Sequence, residues 1–317
     1  MNKRKIHKME QLKFKNLDHE NQQVLEDSEI VFSTFQLNDG NYHLAKVLKV
    51  DKCYMGLNFQ DAQNLMNKIS SCINLLNLSM NLSFCQLDTN SAIEVGRGIR
   101  KCSQLNNLLL NLNCNSIKTK GAVDIASQIA KCSNLQKLRY QISKNQIGFN
   151  YDYNSLGVIT LNLQIAQIWL NGNVLFKKDL QFLGSCLSKC ESLKKLELFL
   201  NQNYISDEGG LFEKLQLCKN IQFLTLHIGD NKLENRHAEL ISQTIQKLEF
   251  LKFLDLDVRY NSMNYEGFDS IIKESSKKKY LNFIRISLNL KKLNEFEILR
   301  VKYLLSKPRR LVRLQVI

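Results

Sequence analysis

Nine cysteines and five histidines are the side chains of this 317-residue chain best suited to hold a metal or to act as nucleophiles. Zinc sites favour close ligand pairs, yet no C-x-x-C occurs; Cys186 and Cys190 stand one helical turn apart with no second pair to complete a site. Cys72, Cys102, Cys132, Cys190 and Cys218 each precede by three residues an apolar residue that opens a strand, and Leu248 fills the same slot further on. A slot that accepts Cys or Leu takes a small buried hydrophobe, a common role for a free thiol. The histidines, His7, His19, His43, His227 and His237, form no H-E-x-x-H; no G-x-S-x-G, phosphate loop or kinase signature is present. His227 with Asp255 and Asp257 lacks a nucleophile and an oxyanion donor. The expectation is a chain with no catalytic residue, no metal and no cofactor.

Stepping along the chain, the phrase L-x-x-L-x-L-x-L-x-x-N-x-I recurs. Leu105, Leu108, Leu110, Leu112, Asn115 and Ile117 fit it fully, as do Leu193, Leu196, Leu198, Leu200, Asn203 and Ile205. Looser copies open at Ala45, Leu75, Leu135, Ile165, Ile221, Leu251, Leu281 and Leu311. The first half of each copy alternates with period two, as a strand with one buried face does. The second half is helical: Ala122, Ile125, Ala126 and Ile129 make one apolar stripe, repeated by Ala62, Leu65, Met66 and Ile69 and by Leu180, Leu183, Gly184 and Leu187. Gly121, Gly209 and Gly267 are read as turn residues before their helices. One strand and one helix cannot bury their own apolar faces, but stacked copies cover each other. The strands then lie about 4.8 Å apart in one parallel sheet. Helices are wider, so the stack curves with its strands inside.

These residues resemble the ribonuclease-inhibitor-like class of leucine-rich repeats, in the 30-residue variant common in ciliate proteins, whose helices often end as Lys101-Cys102 and Lys131-Cys132 do. The resemblance covers residues 42–317 and implies an α/β horseshoe solenoid of nine to ten repeats, with a parallel sheet on the concave face and helices on the convex face. It also implies protein binding, with small-GTPase regulation as a rarer role. Residues 1–41 are read as an N-terminal cap with a loose basic tail, Val24, Leu25, Ile30, Val31, Phe32, Phe35 and Leu37 covering the first strand.

Asn115, Asn145, Asn173, Asn203, Asn231 and Asn261 share the slot after the strand, where an amide can satisfy backbone groups of the bend. Specificity then falls to the strand residues alternating with the buried leucines. One row reads Lys49, Ser79, Leu109, Arg139, Trp169, Glu197, Thr225, Asp255, Arg285; the next reads Asp51, Asn81, Asn111, Gln141, Asn171, Phe199, His227, Asp257, Ser287; Asn201, Arg259 and Asn289 follow in a third. Trp169, the only tryptophan, is expected beside Phe199. The candidate partner-binding set is Arg139, Trp169, Glu197, Phe199, His227, Asp255, Asp257, Arg259 and Arg285, all expected to face solvent.

The net charge of +14 is uneven. Residues 1–16 hold six Lys/Arg and one Glu, and residues 273–317 hold thirteen Lys/Arg and three Glu, so 14 − 5 − 10 leaves −1 for the body. Lys277, Lys278, Lys279, Arg309, Arg310 and Arg313 are the candidate residues for an anionic partner, whether RNA, an acidic protein tail or a membrane surface. No run is long and apolar enough to cross a membrane. An odd number of cysteines without a signal peptide suits a reducing compartment, and the cytoplasm is expected. The chain stops inside its last strand, so an open edge is expected there for a partner or a second copy.

Overall fold

A computed structural model describes residues 45–148, 162–205, 210–289, 293–306 and 311–316. Ten strands form one parallel sheet in strict chain order: β1 (Val47–Asp51), β2 (Asn77–Asn81), β3 (Asn107–Asn111), β4 (Lys137–Gln141), β5 (Ile165–Trp169), β6 (Lys195–Phe199), β7 (Phe223–His227), β8 (Phe253–Asp257), β9 (Phe283–Leu288) and β10 (Leu311–Val316). Eight described helices alternate with them: α1 (Phe59–Ser70), α2 (Thr89–Lys101), α3 (Lys118–Ile129), α4 (Lys177–Ser188), α5 (Gly210–Leu215), α6 (Asn235–Lys247), α7 (Tyr265–Lys277) and α8 (Glu295–Ser306). The expected horseshoe solenoid is therefore present, with strands inside and helices outside. The proposed cap over residues 1–41 lies outside the described residues, as do residues 42–44.

The core runs between the sheet and the helices as one apolar column. Leu48, Leu78, Leu108, Leu138, Ala166, Leu196, Leu224, Leu254 and Ile284 occupy one level of it, each at most 6% exposed. The helical stripes face it, including Ala62, Leu65, Met66 and Ile69 of α1. In α3 the stripe is rotated slightly: Val123 is buried and Ala126 is half-buried. The cysteine slot is also as expected, with Cys72, Cys102, Cys132, Cys190 and Cys218 buried.

Two corrections concern glycine and register. Gly121 and Gly267 are not turn residues; they lie inside α3 and α7, and Gly209 lies outside the described residues. A Cβ on Gly121 would stand 2.8 Å from Ile117 Cγ2 and 3.3 Å from Ala92 Cβ, and one on Gly267 would stand 3.0 Å from Ala238 Cβ. The missing side chains let neighbouring helices approach closely.

The copies expected to open at Ile165 and Leu311 are each displaced by two residues. Lys137 pairs with Ile165 and Phe283 with Leu311, both 28 positions on. Buried Leu163, not Ile165, thus matches Leu135, followed by Ala166, Ile168 and Leu170. The period of two makes Leu163 and Ile165 equally plausible openings, and Ala166 conceals the true phase. The asparagines already carried that phase, since Asn145 and Asn173 are also 28 apart. As a result Gln167, not Trp169, lies between Arg139 and Glu197, while Trp169 stands between Gln141 and Phe199.

The asparagine slot joins each loop to its predecessor. Asn115 Oδ1 accepts from the N–H groups of Cys85 and Leu87 at 2.9 and 3.0 Å, and its Nδ2 donates to Leu82 and Leu112 carbonyls at 2.9 and 2.8 Å. Asn145, Asn173, Asn203, Asn231 and Asn261 make the same kind of links. Cys85 takes this slot in the second repeat, its Sγ 2.9 Å from the Lys52 carbonyl. The residue just before the slot has a left-handed backbone in repeat after repeat: Phe84, Cys114, Lys144, Gly172, Gln202, Asp230 and Tyr260 have φ between 53° and 62°. For all but the glycine this conformation costs about 1–2 kcal/mol, which the bonds of the slot residue offset.

Asn115→Leu keeps the volume but strips four buried backbone groups of their partner. At about 1–3 kcal/mol for an orphaned group, and with partial relaxation, the loss is expected to be about 3 kcal/mol or more in urea unfolding. Asn134→Ala, which removes only an exposed bond to the Ser103 carbonyl, is expected to change stability by less than about 0.5 kcal/mol.

Candidate functional site

The concave rows follow the observed pairing. The middle row is Lys49, Ser79, Leu109, Arg139, Gln167, Glu197, Thr225, Asp255, Arg285 and Arg313. A further row runs along the strand starts and includes Phe223, Phe253 and Phe283.

Trp169 and Phe199 are brought together as expected, their rings stacked with centroids 4.7 Å apart and planes 10° apart. His227 extends the stack, meeting Phe199 edge-on at 4.9 Å. Arg139 approaches from the other side, its Cζ 6.0 Å from the Trp169 ring centroid. All four are half-buried. Adjacent parallel strands set the rings at stacking distance, and offset stacks of this kind contribute about 0.5–1.5 kcal/mol beyond burial.

The polar groups beside the stack form two networks. In the first, Arg139 Nε donates to Gln167 Oε1 at 2.9 Å, Gln167 Nε2 donates to Glu197 Oε2 at 2.6 Å, and Lys195 Nζ lies 3.0 Å from Glu197 Oε1. In the second, Asp255 receives Arg285 Nε at 2.7 Å and the Arg285 terminal amine, and it lies 3.2 Å from His227 Nε2. Asp257 is held bidentately by Arg259 at 2.8 and 2.6 Å.

Asp255 and Asp257 were expected to face solvent, but they are 2% and 6% exposed. The guanidinium groups of Arg285 and Arg259 bind them and help to shield them from solvent. Burial by itself would raise the Asp255 carboxyl, yet hydrogen bonds from Arg285 and His227 outweigh it and hold the carboxyl below its ordinary value. Asn201, placed in the third row, is structural: its Oδ1 accepts from the Gly229 N–H at 2.6 Å. It belongs to a second chain of cross-repeat bonds through Asn113, Ser143 and Asn171.

Two parts of this surface escaped the sequence reading. Gln167 was hidden by the phase error at Leu163. The aromatic row at the strand starts, where Phe253 and Phe283 stack at 4.5 Å and Phe223 follows at 6.4 Å, falls between the two leucines of L-x-x-L. Its spacing equals the repeat, and that was the available signal.

The three lysines of the basic flank have neighbours within the chain. Lys277 pairs with Glu274 at 2.5 Å, Lys278 Nζ donates to the Gln246 carbonyl at 2.8 Å, and Lys279 lies 5.4 Å from the Tyr280 ring. Burial lowers the Lys278 ammonium. Arg313 sits opposite Arg285 in register; Arg309 and Arg310 lie outside the described residues. Three buried thiols are pushed up, Cys102 and Cys218 to about 12 and Cys132 to about 11, by desolvation above all. They stay protonated at neutral pH, the unreactive form toward electrophiles and metals. Among the described residues no helix is long and apolar enough to cross a membrane. No protein-family model matches the chain, and no curated protein matches it significantly.

Asp255 makes stability depend on pH in a definite direction. A carboxyl lowered on folding contributes stability above its unfolded value, near about 4, and loses it as pH falls through the folded value. Asp255→Asn is expected to cost about 1–3 kcal/mol at neutral pH, moderated because Arg285 is about a third exposed. The gap to the parent should be constant above about pH 5 and close below about pH 4, as measured by urea unfolding across pH.

Proposed function

We propose that the chain is a non-enzymatic interaction scaffold of the ribonuclease-inhibitor-like class of leucine-rich repeats, binding a protein partner through its concave strand face. The observation that carries this reading is the Trp169–Phe199–His227 stack, held half-open on the sheet and flanked by Arg139. Aromatic and arginine side chains dominate binding hot spots because they offer large contact areas at little entropic cost. The surroundings suit such a role. Asp255, Asp257 and Glu197 are already satisfied by neighbours, so a partner docking on the rings does not strip water from bare carboxylates. All nine cysteines are free thiols, which suits a reducing compartment such as the cytoplasm. The alternative of an anionic ligand at Lys277–Lys279 is disfavoured, because those charges have partners within the chain.

The test is affinity capture of a partner from the native cell by the parent chain, compared with Trp169→Ala and Phe199→Ala. Each substitution is expected to weaken capture by about 2 kcal/mol, or about 30-fold. Undiminished capture by both variants would place the binding site elsewhere.

A further inference from the structure

The positive charge on the concave face is unevenly compensated, and the imbalance lies beside the aromatic stack. β4 carries Lys137 at its start and Arg139 at its centre, and Lys144 follows its end. Among the described residues none of the three has a carboxylate within ion-pair distance. The concave positions of β2, β3, β4 and β5 contain no Asp or Glu at all. The first carboxylate met on the strands after β4 is Glu197 on β6, and both its oxygens are engaged.

Arg139 is also oriented. The Gln167 amide has its nitrogen committed to Glu197, so its oxygen is left to accept from Arg139 Nε. Were the amide reversed, its oxygen would face a carboxylate and its amine a guanidinium. Glu197 therefore fixes Gln167, and Gln167 fixes the Arg139 fork. The two terminal nitrogens of that fork are left for a ligand, and a guanidinium fork matches a carboxylate bidentately.

We propose that the partner presents an acidic side chain close to a large apolar one, the apolar group packing on the exposed rims of Trp169 and Phe199 and the carboxylate taking the terminal N–H groups of Arg139. The proposal rests on the concave-face reading above and names the chemistry of its ligand. Cations interleaved with aromatics also suit single-stranded nucleic acid, but base stacking needs open ring faces. Here Phe199 has one face against Trp169 and a near-perpendicular contact with the His227 ring as well, and Arg139 lies over Trp169. Rims, rather than faces, are on offer, which favours a peptide.

The probe is a display library of short random peptides, fused so that their chain ends are hidden and every carboxylate belongs to a side chain. Selection on the full chain is expected to enrich Asp or Glu within about one helical turn of Phe, Leu or Trp. Synthetic versions, followed through the fluorescence anisotropy of a label on the peptide, are expected to bind Arg139→Gln about tenfold more weakly, and selection on Arg139→Glu is expected to turn toward Lys and Arg. Far-UV circular dichroism checks that both variants fold, as partly exposed substitutions should. Peptides lost on Trp169→Ala but equally tight on Arg139→Gln, or free of acidic residues, overturn the proposal and leave the concave reading standing. Peptides indifferent to both Trp169→Ala and Phe199→Ala overturn the concave reading itself. Failure to select any peptide, or Arg139-dependent binding of an oligouridylate that displaces the peptides, also overturns the proposal, the latter in favour of nucleic acid.

Discussion

The bond network around each post-strand asparagine is the constraint on which the other features depend. A loop that leaves a strand and turns toward a helix exposes several backbone groups that the sheet no longer pairs. Burying them unpaired would cost about 1–3 kcal/mol apiece. One amide reaches forward and back, accepting from the preceding repeat's N–H groups and donating to carbonyls of both repeats. Because these partners lie in two different repeats, the bond set is satisfied only when the repeats stack in one register. The left-handed residue before each slot is the conformational consequence, tolerated even at Phe84, before Cys85, and at Tyr260.

Register then decides which side chains meet on the concave sheet. A parallel ladder places residue 139 beside 167 or beside 169, depending on whether the connection spans 28 or 30 positions. The shorter connection brings Gln167 to Arg139 and frees Trp169 to stack on Phe199. The bond between Arg139 and Gln167 follows from that one interval. The same logic unites Asp255 with Arg285, which stand 30 positions apart on adjacent strands. These groups are remote in sequence, and no local pattern pairs them.

The charge distribution gains its meaning from the same pairing. On the strands from β6 onward the carboxylates have cationic neighbours within the sheet, so that region is electrostatically closed. On β4 the cations have none among the described residues, so that region is open. A surface with its acids neutralised and a few bases left over favours partners of one sign, and it does so beside the rings that supply most of the contact energy.

The chain's own sequence was enough for the repeat, the alternation of strand and helix, the buried cysteine slot, the structural asparagines and the meeting of Trp169 with Phe199. These features depend on periods of two, of 3.6 and of about 30, and each period is a property of residues in order. Tertiary structure alone decided the burial of Asp255 and Asp257, the close helix contacts at Gly121 and Gly267, and the orientation of Arg139, and it fixed the phase at Leu163 that the leucine pattern left open. Those depend on which residues lie side by side after stacking. A period-two pattern is unchanged by a shift of two, so hydrogen bonds between repeats had to choose between phases that the leucines could not distinguish.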